Sequence, residues 1–202
     1  VNLSRLFAIA LAAAVASTSL VTPSEVFAGP PTDVVKTKQS ELFKLLESKD
    51  AASVKKISAI FDEMLDYDGL AKASLGDEWS SLKEAEQKEF AGLLKQLVQQ
   101  AYERNLKKTL AFNIEYVAEE KVSDTMFVVK TKATHKTDSR QEPIQIDFRV
   151  VDKGGGKWRI DDIITEEVSL VSSYRSQFVK ILKKDGYAAL VKKMKEKIAK
   201  GA

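Results

Sequence analysis

Apolar residues recur every three or four positions over residues 33–47 and 51–66: Val35, Leu42, Leu45 and Leu46, then Val54, Ile57, Ile60, Phe61 and Leu65. At about 3.6 residues per turn that spacing gathers them on one face, so it predicts two amphipathic helices. A short third helix is expected over 68–75, stopped by Gly76 where a left-handed C-terminal cap is wanted, with Trp79 in the turn beyond. Ser81 and Glu84 have the spacing of a capping box. Behind them Phe90, Leu93, Leu94, Leu97, Val98, Ala101, Tyr102, Leu106 and Leu110 mark one face of a helix about seven turns long.

After Asn113 the period shortens to two. Ile114, Tyr116 and Ala118 share one strand face, as do Phe127, Val129, Thr131 and Ala133, then Ile144, Ile146, Phe148 and Val150, and finally Trp158, Ile160, Asp162 and Ile164. Lys130, Lys132, Gln145, Asp147 and Arg149 take the opposite face, which is expected to be wet while helices cover the other. Asp152 to Lys157, with three consecutive glycines, is the hairpin turn before the last strand. Ser169 then offers an N-cap to a helix ending at Gly186, and Tyr187, Leu190, Val191, Met194 and Ile198 mark a final helix. The expected fold is α+β: a four-stranded antiparallel curved sheet packed against a bundle of helices, in a single domain over 33–200.

The N-terminus adds a compartment. Arg5 precedes an uncharged run from Leu6 to Val21, and Val26-Phe27-Ala28 stands before Gly29. Residues 1–28 are expected to be a cleavable secretory signal peptide and 29–32 a Pro-Gly tether. Pro23 and Glu25 interrupt the run before it reaches the ~20 apolar residues of a membrane span. Removing the segment takes away one arginine and one glutamate, so the net charge stays at +3 and gives no reason to expect nucleic acid. The balance is uneven, since Lys180, Lys183, Lys184, Lys192, Lys193, Lys195, Lys197 and Lys200 face only Asp185 and Glu196. That run is either a solvated helix face or a surface attracted to anionic headgroups or an acidic partner.

The chain offers little material for catalysis. It has no cysteine and one histidine, His135, so thiol chemistry is excluded and no second soft ligand exists to share a transition metal. Gly154-Gly155-Gly156-Lys157 leads into a strand, not the helix that a phosphate-cradling loop needs, and no G-x-S-x-G elbow is present. The acid pairs are Asp161-Asp162 and Glu166-Glu167, and neighbours on a strand point to opposite faces. Asp162, on the apolar face, would need a donor, either Arg175 or a backbone amide at the start of the following helix.

Residues 158–178, WRIDDIITEEVSLVSSYRSQF, carry a family pattern. Asp162, Ile163, Glu166, Val168, Ser169, Leu170, Tyr174, Arg175 and Phe178 match the D-[IV]-x-x-E-G-V-S-L-x-x-x-Y-R-x-x-F of the MlaC/toluene-tolerance family, periplasmic proteins that carry phospholipid. The segment resembles that family, with Glu167 standing where glycine is usual. Leu75-Gly76, Trp79, Gln87, Phe90 and Tyr102 look like its L-G-x-x-W … Q-x-x-x-F … Y pattern. The resemblance implies an apolar pocket between sheet and helices that takes acyl chains and leaves the headgroup near solvent. It implies a periplasmic, non-catalytic, monomeric carrier without metal or cofactor. Such a carrier shuttles phospholipid between an outer-membrane lipoprotein complex and an inner-membrane ABC transporter with its periplasmic lipid-binding subunit, maintaining outer-membrane lipid asymmetry. The alternative cargo is another amphiphile such as a hopanoid.

Position alone does not separate a packed core from a cavity wall. With the resemblance, the expected lipid-binding residues are Leu94, Val98, Tyr102, Tyr116, Phe127, Val129, Ile146, Phe148, Trp158, Ile160 and Tyr174, with Arg175 near the mouth or bracing Asp162.

Overall fold

The structure is a computed structural model that describes residues 29–47 and 53–201. The expected signal peptide over 1–28, the first residues of the second predicted helix, and the side chains of Val54 and Leu106 lie outside the described residues. The chain runs through α1 (Pro30–Glu47), α2 (Ser53–Met64), α3 (Tyr67–Leu75), a 3₁₀ turn (Gly76–Ser81) and α4 (Glu84–Thr109). The sheet strands follow as β1 (Phe112–Ser123), β2 (Met126–His135), β3 (Ile144–Asp152), β4 (Trp158–Thr165) and β5 (Val168–Ser169), and α5 (Leu170–Ala199) ends the fold. Helix α5 is broken at Gly186 (φ 81°, ψ 173°), so it is two helical segments, as the spacing predicts.

The sheet is antiparallel throughout, in the order β1-β2-β3-β4-β5, and has five strands where four were expected. The extra strand exists because Glu166 and Glu167 form a two-residue turn that folds Val168 back onto Thr165. Both turn residues have positive φ (48° and 64°), as the tightest hairpin turn requires. Gln145 ties the turn down: its N–H donates to the Glu166 carboxylate (2.7 Å) and its carbonyl accepts from the Glu166 N–H (3.1 Å).

Two bulges overturn the expected strand faces. In β1 an irregularity falls between Tyr116 and Ala118, after which Ala118 pairs with Lys130 and Glu119 with the fully buried Val129. One extra residue flips everything that follows, so Glu119, not Ala118, takes the inward side. In β4 the shift falls between Ile160 and Asp162; Ile163 then pairs with Phe148 and packs on the core, while Ile164 pairs with Asp147. The outer face is less wet than expected, since Asp147 is buried beside Ile164 and accepts from the Gln145 side-chain amide (2.8 Å).

The expected tether is also corrected. Pro30 to Thr32 form the first turn of α1, where proline's missing N–H and fixed φ do no harm. At α4 the box sits two residues later than expected: Glu86 accepts from the Lys83 N–H (2.8 Å), while Ser81 Oγ donates to the Glu78 carbonyl. One apolar cluster joins the helices to the inner sheet face, with Val35, Phe61, Leu75, Phe90, Leu94, Val129, Phe148, Ile160, Phe178 and Leu190 among its members.

A left-handed backbone at a non-glycine residue costs about 1–2 kcal/mol, and glycine relieves most of it against its own entropic penalty. Glu167→Gly is therefore expected to stabilise the protein by about 1 kcal/mol, raising the melting midpoint by about 2–4 °C. Glu167→Val should lower it, as read by thermal denaturation followed by circular dichroism.

Candidate functional site

The structure divides the twelve expected lining residues into four groups. Leu94, Val98, Val129, Phe148, Ile160 and Tyr174 are buried members of the single core cluster. Tyr102, Tyr116, Ile146 and Trp158 are partly exposed and pack against its border. Phe127 is half-buried, with its ring set edge-on to Trp158 at 5.4 Å. Arg175 is exposed on α5. Ten of the eleven apolar and aromatic residues thus belong to or border one core cluster shared by α4, α5 and the sheet, and Phe127 meets it through Trp158.

Border residues are fixed by individual contacts. The Tyr116 hydroxyl donates to Gln39 Oε1 of α1 (2.5 Å), and Tyr102 stands edge-on to Phe61 of α2 at 4.9 Å. A described groove lies elsewhere: about 410 Å³ between α1 and α2, lined by Glu41, Lys44, Leu45, Lys56, Ala59 and Ile60. None of the twelve expected residues borders it.

Asp162 finds its donors in the backbone, not in Arg175. Its carboxylate accepts from the Ile163 N–H (2.9 Å), the Val171 N–H (3.1 Å) and Ser169 Oγ (2.5 Å), and Ser169 Oγ in turn accepts from the Ser172 N–H. The acid therefore satisfies orphan donors at the N-terminus of α5, where the helix dipole favours negative charge. Arg149 adds its guanidinium, 3.9 Å from Asp162 and 2.7 Å from Asp161. Burial holds the Asp161 carboxyl above its ordinary value, against the opposing pull of Arg149.

The expected role of Arg175 as a brace for Asp162 is replaced by a contact on the other motif half. Its Nε donates to the Ala73 carbonyl at the end of α3 (2.8 Å). A Cβ on Gly76 would stand 3.3 Å from that same nitrogen, and the Gly76 backbone (φ 58°, ψ −129°) is one that glycine alone adopts readily. Phe178 stacks on Tyr174 at 5.1 Å and meets Phe90 edge-on at 5.4 Å, and Phe90 meets Trp79 at 6.4 Å. The Gln87 amide donates to the Trp79 carbonyl (2.9 Å). Tyr174, Arg175 and Phe178 of one sequence pattern thus meet Gly76, Trp79, Gln87 and Phe90 of the other in one joint that clamps α5 onto α3 and α4. Sequence reasoning missed this pairing because an arginine's backbone acceptor, a hundred residues away, leaves no mark on periodicity.

Polar groups elsewhere serve the fold. His135 Nδ1 accepts from the Asp138 N–H (3.0 Å) and closes a turn. Of the lysine run, Lys183 pairs with Glu78 and Lys195 with Glu89, which ties α5 to the 3₁₀ turn and to α4, while Lys193 pairs with Asp185 within α5 across the Gly186 break. Burial raises every tyrosine hydroxyl: Tyr174 to about 12, with Tyr67, Tyr102, Tyr116 and Tyr187 shifted in the same direction. Among the described residues no group of three or more His, Cys, Asp or Glu is placed to hold a metal ion, and no helix is long and apolar enough to cross a membrane.

Comparison with known proteins gives one family and one fold. The family model described as MlaC protein matches residues 33–196. The structure of a phospholipid-binding protein from Ralstonia solanacearum, solved in complex with a phospholipid, superposes with a TM-score of 0.72. It is 21% identical, over 85% of this chain and 98% of that one. No curated protein matches.

Two outcomes follow from this geometry. Asp162→Ala leaves a buried Val171 N–H without its acceptor and should destabilise the protein by about 2–3 kcal/mol in urea denaturation. The tyrosines set the alkaline limit: unfolded hydroxyls ionise near pH 10, while the folded state keeps its protons through about pH 12 at Tyr174. Stability then falls as pH rises above about 10, because the folded state binds more protons than the unfolded one. Tyrosinate absorbance should appear together with loss of near-ultraviolet circular dichroism, not before it.

Proposed function

The chain belongs to the MlaC family, and from that membership we propose that it is a non-catalytic phospholipid carrier of the periplasm. The observation that carries the reading is the extent of the family match, residues 33–196, which takes in the sheet, the inner wall and both halves of the α3–α4–α5 joint. The R. solanacearum protein, similar in fold and solved with phospholipid bound, supports the cargo class. Residues 33–200 act as one lipid-binding domain, delivered by removal of the signal peptide over 1–28.

The physical need is large. Two acyl tails of about 15 methylenes, at ~0.8 kcal/mol each, cost on the order of 24 kcal/mol to expose to water. A carrier must cover most of that surface, and the space for it is proposed between the inner sheet face and α4 with the first half of α5. Leu94, Val98, Val129, Phe148, Ile160 and Tyr174 supply its walls, which part around the tails. Tyr102, Tyr116, Phe127, Ile146 and Trp158 form its border, and Arg175 lies toward the solvent side. Recognition by tail burial leaves the headgroup outside, so headgroup selectivity is low. The exchange partners are an outer-membrane lipoprotein complex and an inner-membrane ABC transporter with its periplasmic lipid-binding subunit.

Added bulk at the border and in the wall of this space tests the assignment without introducing charge. Ile146→Phe and Val98→Phe should cut phospholipid transfer between liposomes at least about tenfold, with an overpacking penalty of about 1–3 kcal/mol that leaves the protein folded. Ala59→Phe, which fills the α1–α2 groove, should transfer lipid normally. The reverse result would move the cargo into that groove, and transfer of a hopanoid in place of phospholipid would change its class.

A further inference from the structure

Glu119 is an acid on the inward side of the sheet, and its partners are all at the start of α1. The bulge in β1 sets it opposite the fully buried Val129. Its Oε2 accepts from Thr32 Oγ (2.6 Å), the Thr32 N–H (2.9 Å) and the Gly29 N–H (3.2 Å). A Cβ on Gly29 would stand 2.4 Å from Glu119 Oε1, so a side chain there would push the carboxylate away from its donors. The Gly29 carbonyl is already committed, accepting the Asp33 N–H (3.1 Å) of the first helical turn.

A peptide nitrogen brings this carboxylate one neutral donor. An α-ammonium at the same position brings a positive charge and up to three. Val26-Phe27-Ala28 places the expected signal-peptidase cut directly before Gly29. Hydrolysis of that bond adds hydroxide to the Ala28 carbonyl carbon and leaves the amine on Gly29, which takes up a proton near neutral pH.

We propose that Gly29 is the first residue of the processed protein and that its α-ammonium forms an ion pair with Glu119, so that removal of the signal peptide itself locks α1 onto the sheet. The lock bears on the wall described above, because α1 carries Gln39, which holds the Tyr116 hydroxyl. Before the cut, the amide at Gly29 makes the weaker, uncharged version of the contact. An ammonium at a helix N-terminus opposes the dipole unless an acid answers it. The sign of the effect of removing that charge therefore depends on Glu119.

The test compares the protein beginning at Gly29 with its Nα-acetylated form, each also carrying Glu119→Gln. Acetylation should lower the melting midpoint by about 2–4 °C when Glu119 is present. With Glu119→Gln it should leave the midpoint unchanged or raise it. An equal drop in both backgrounds, or no drop with Glu119 present, overturns the proposal. If Glu119→Gln does not fold, an alanine added ahead of Gly29 serves instead. It moves the ammonium by about 3.8 Å and should reproduce the loss, and an unchanged midpoint overturns the pairing. N-terminal sequencing of the secreted protein must also begin at Gly29; any other start overturns it. Lipid binding enters none of these readouts, so the result stands apart from the carrier reading.

Discussion

The carboxylate of Asp162 sets the angle at which the sheet passes the chain to its last helix, and both sequence patterns depend on that angle. It accepts from the backbone of β4, from the side chain of Ser169 in β5 and from the first turn of α5. Three elements therefore meet at one buried acid, and α5 leaves the sheet in a fixed direction. Along that direction Tyr174, Arg175 and Phe178 reach Gly76, Ala73 and Phe90. Removal of the acid would release the joint that holds α3 and α4 over the inner face.

Other acids play the same kind of role. Asp66 accepts from the Gly69 N–H at the start of α3 and pairs with Lys153 of the glycine turn (2.8 Å). Asp152 accepts from the Gly154 N–H within that turn, and Glu119 takes the start of α1. Acids placed where backbone donors would otherwise be orphaned stabilise helix starts and turns. Asp161, Asp162 and Glu166, the acids that the sequence offered for proton transfer, are engaged by Arg149, by backbone donors and by Gln145.

Much of this architecture was legible in the chain because its elements are one-sided. The stripe from Phe90 to Tyr102 and the alternation from Phe127 to Ala133 leave one reading each. The bulges were not legible: Ile163 and Ile164 are both apolar, so inserting one residue at Asp161 changes which faces the core without breaking the visible pattern. Strand β5 has two residues, too few for any period, and its turn is built from two glutamates that local preference would not place at positive φ. The inward positions of Leu94, Val98, Val129, Phe148 and Ile160 were legible from periodicity, whereas the Arg175 contact was not, because its acceptor is a main-chain carbonyl on α3 and not Asp162. Three members of the lysine run are paired with acids of the chain itself, Glu78, Asp185 and Glu89.

The proposed carrier role requires the packed side chains between the inner sheet face, α4 and α5 to part around acyl chains. Native mass spectrometry of the secreted protein, purified without detergent and followed by extraction and lipid analysis, tests it most directly. The account predicts a bound diacyl phospholipid, in a mixture of headgroups, on each chain. A bare protein mass that persists after incubation with liposomes would contradict it and leave the wall a closed core.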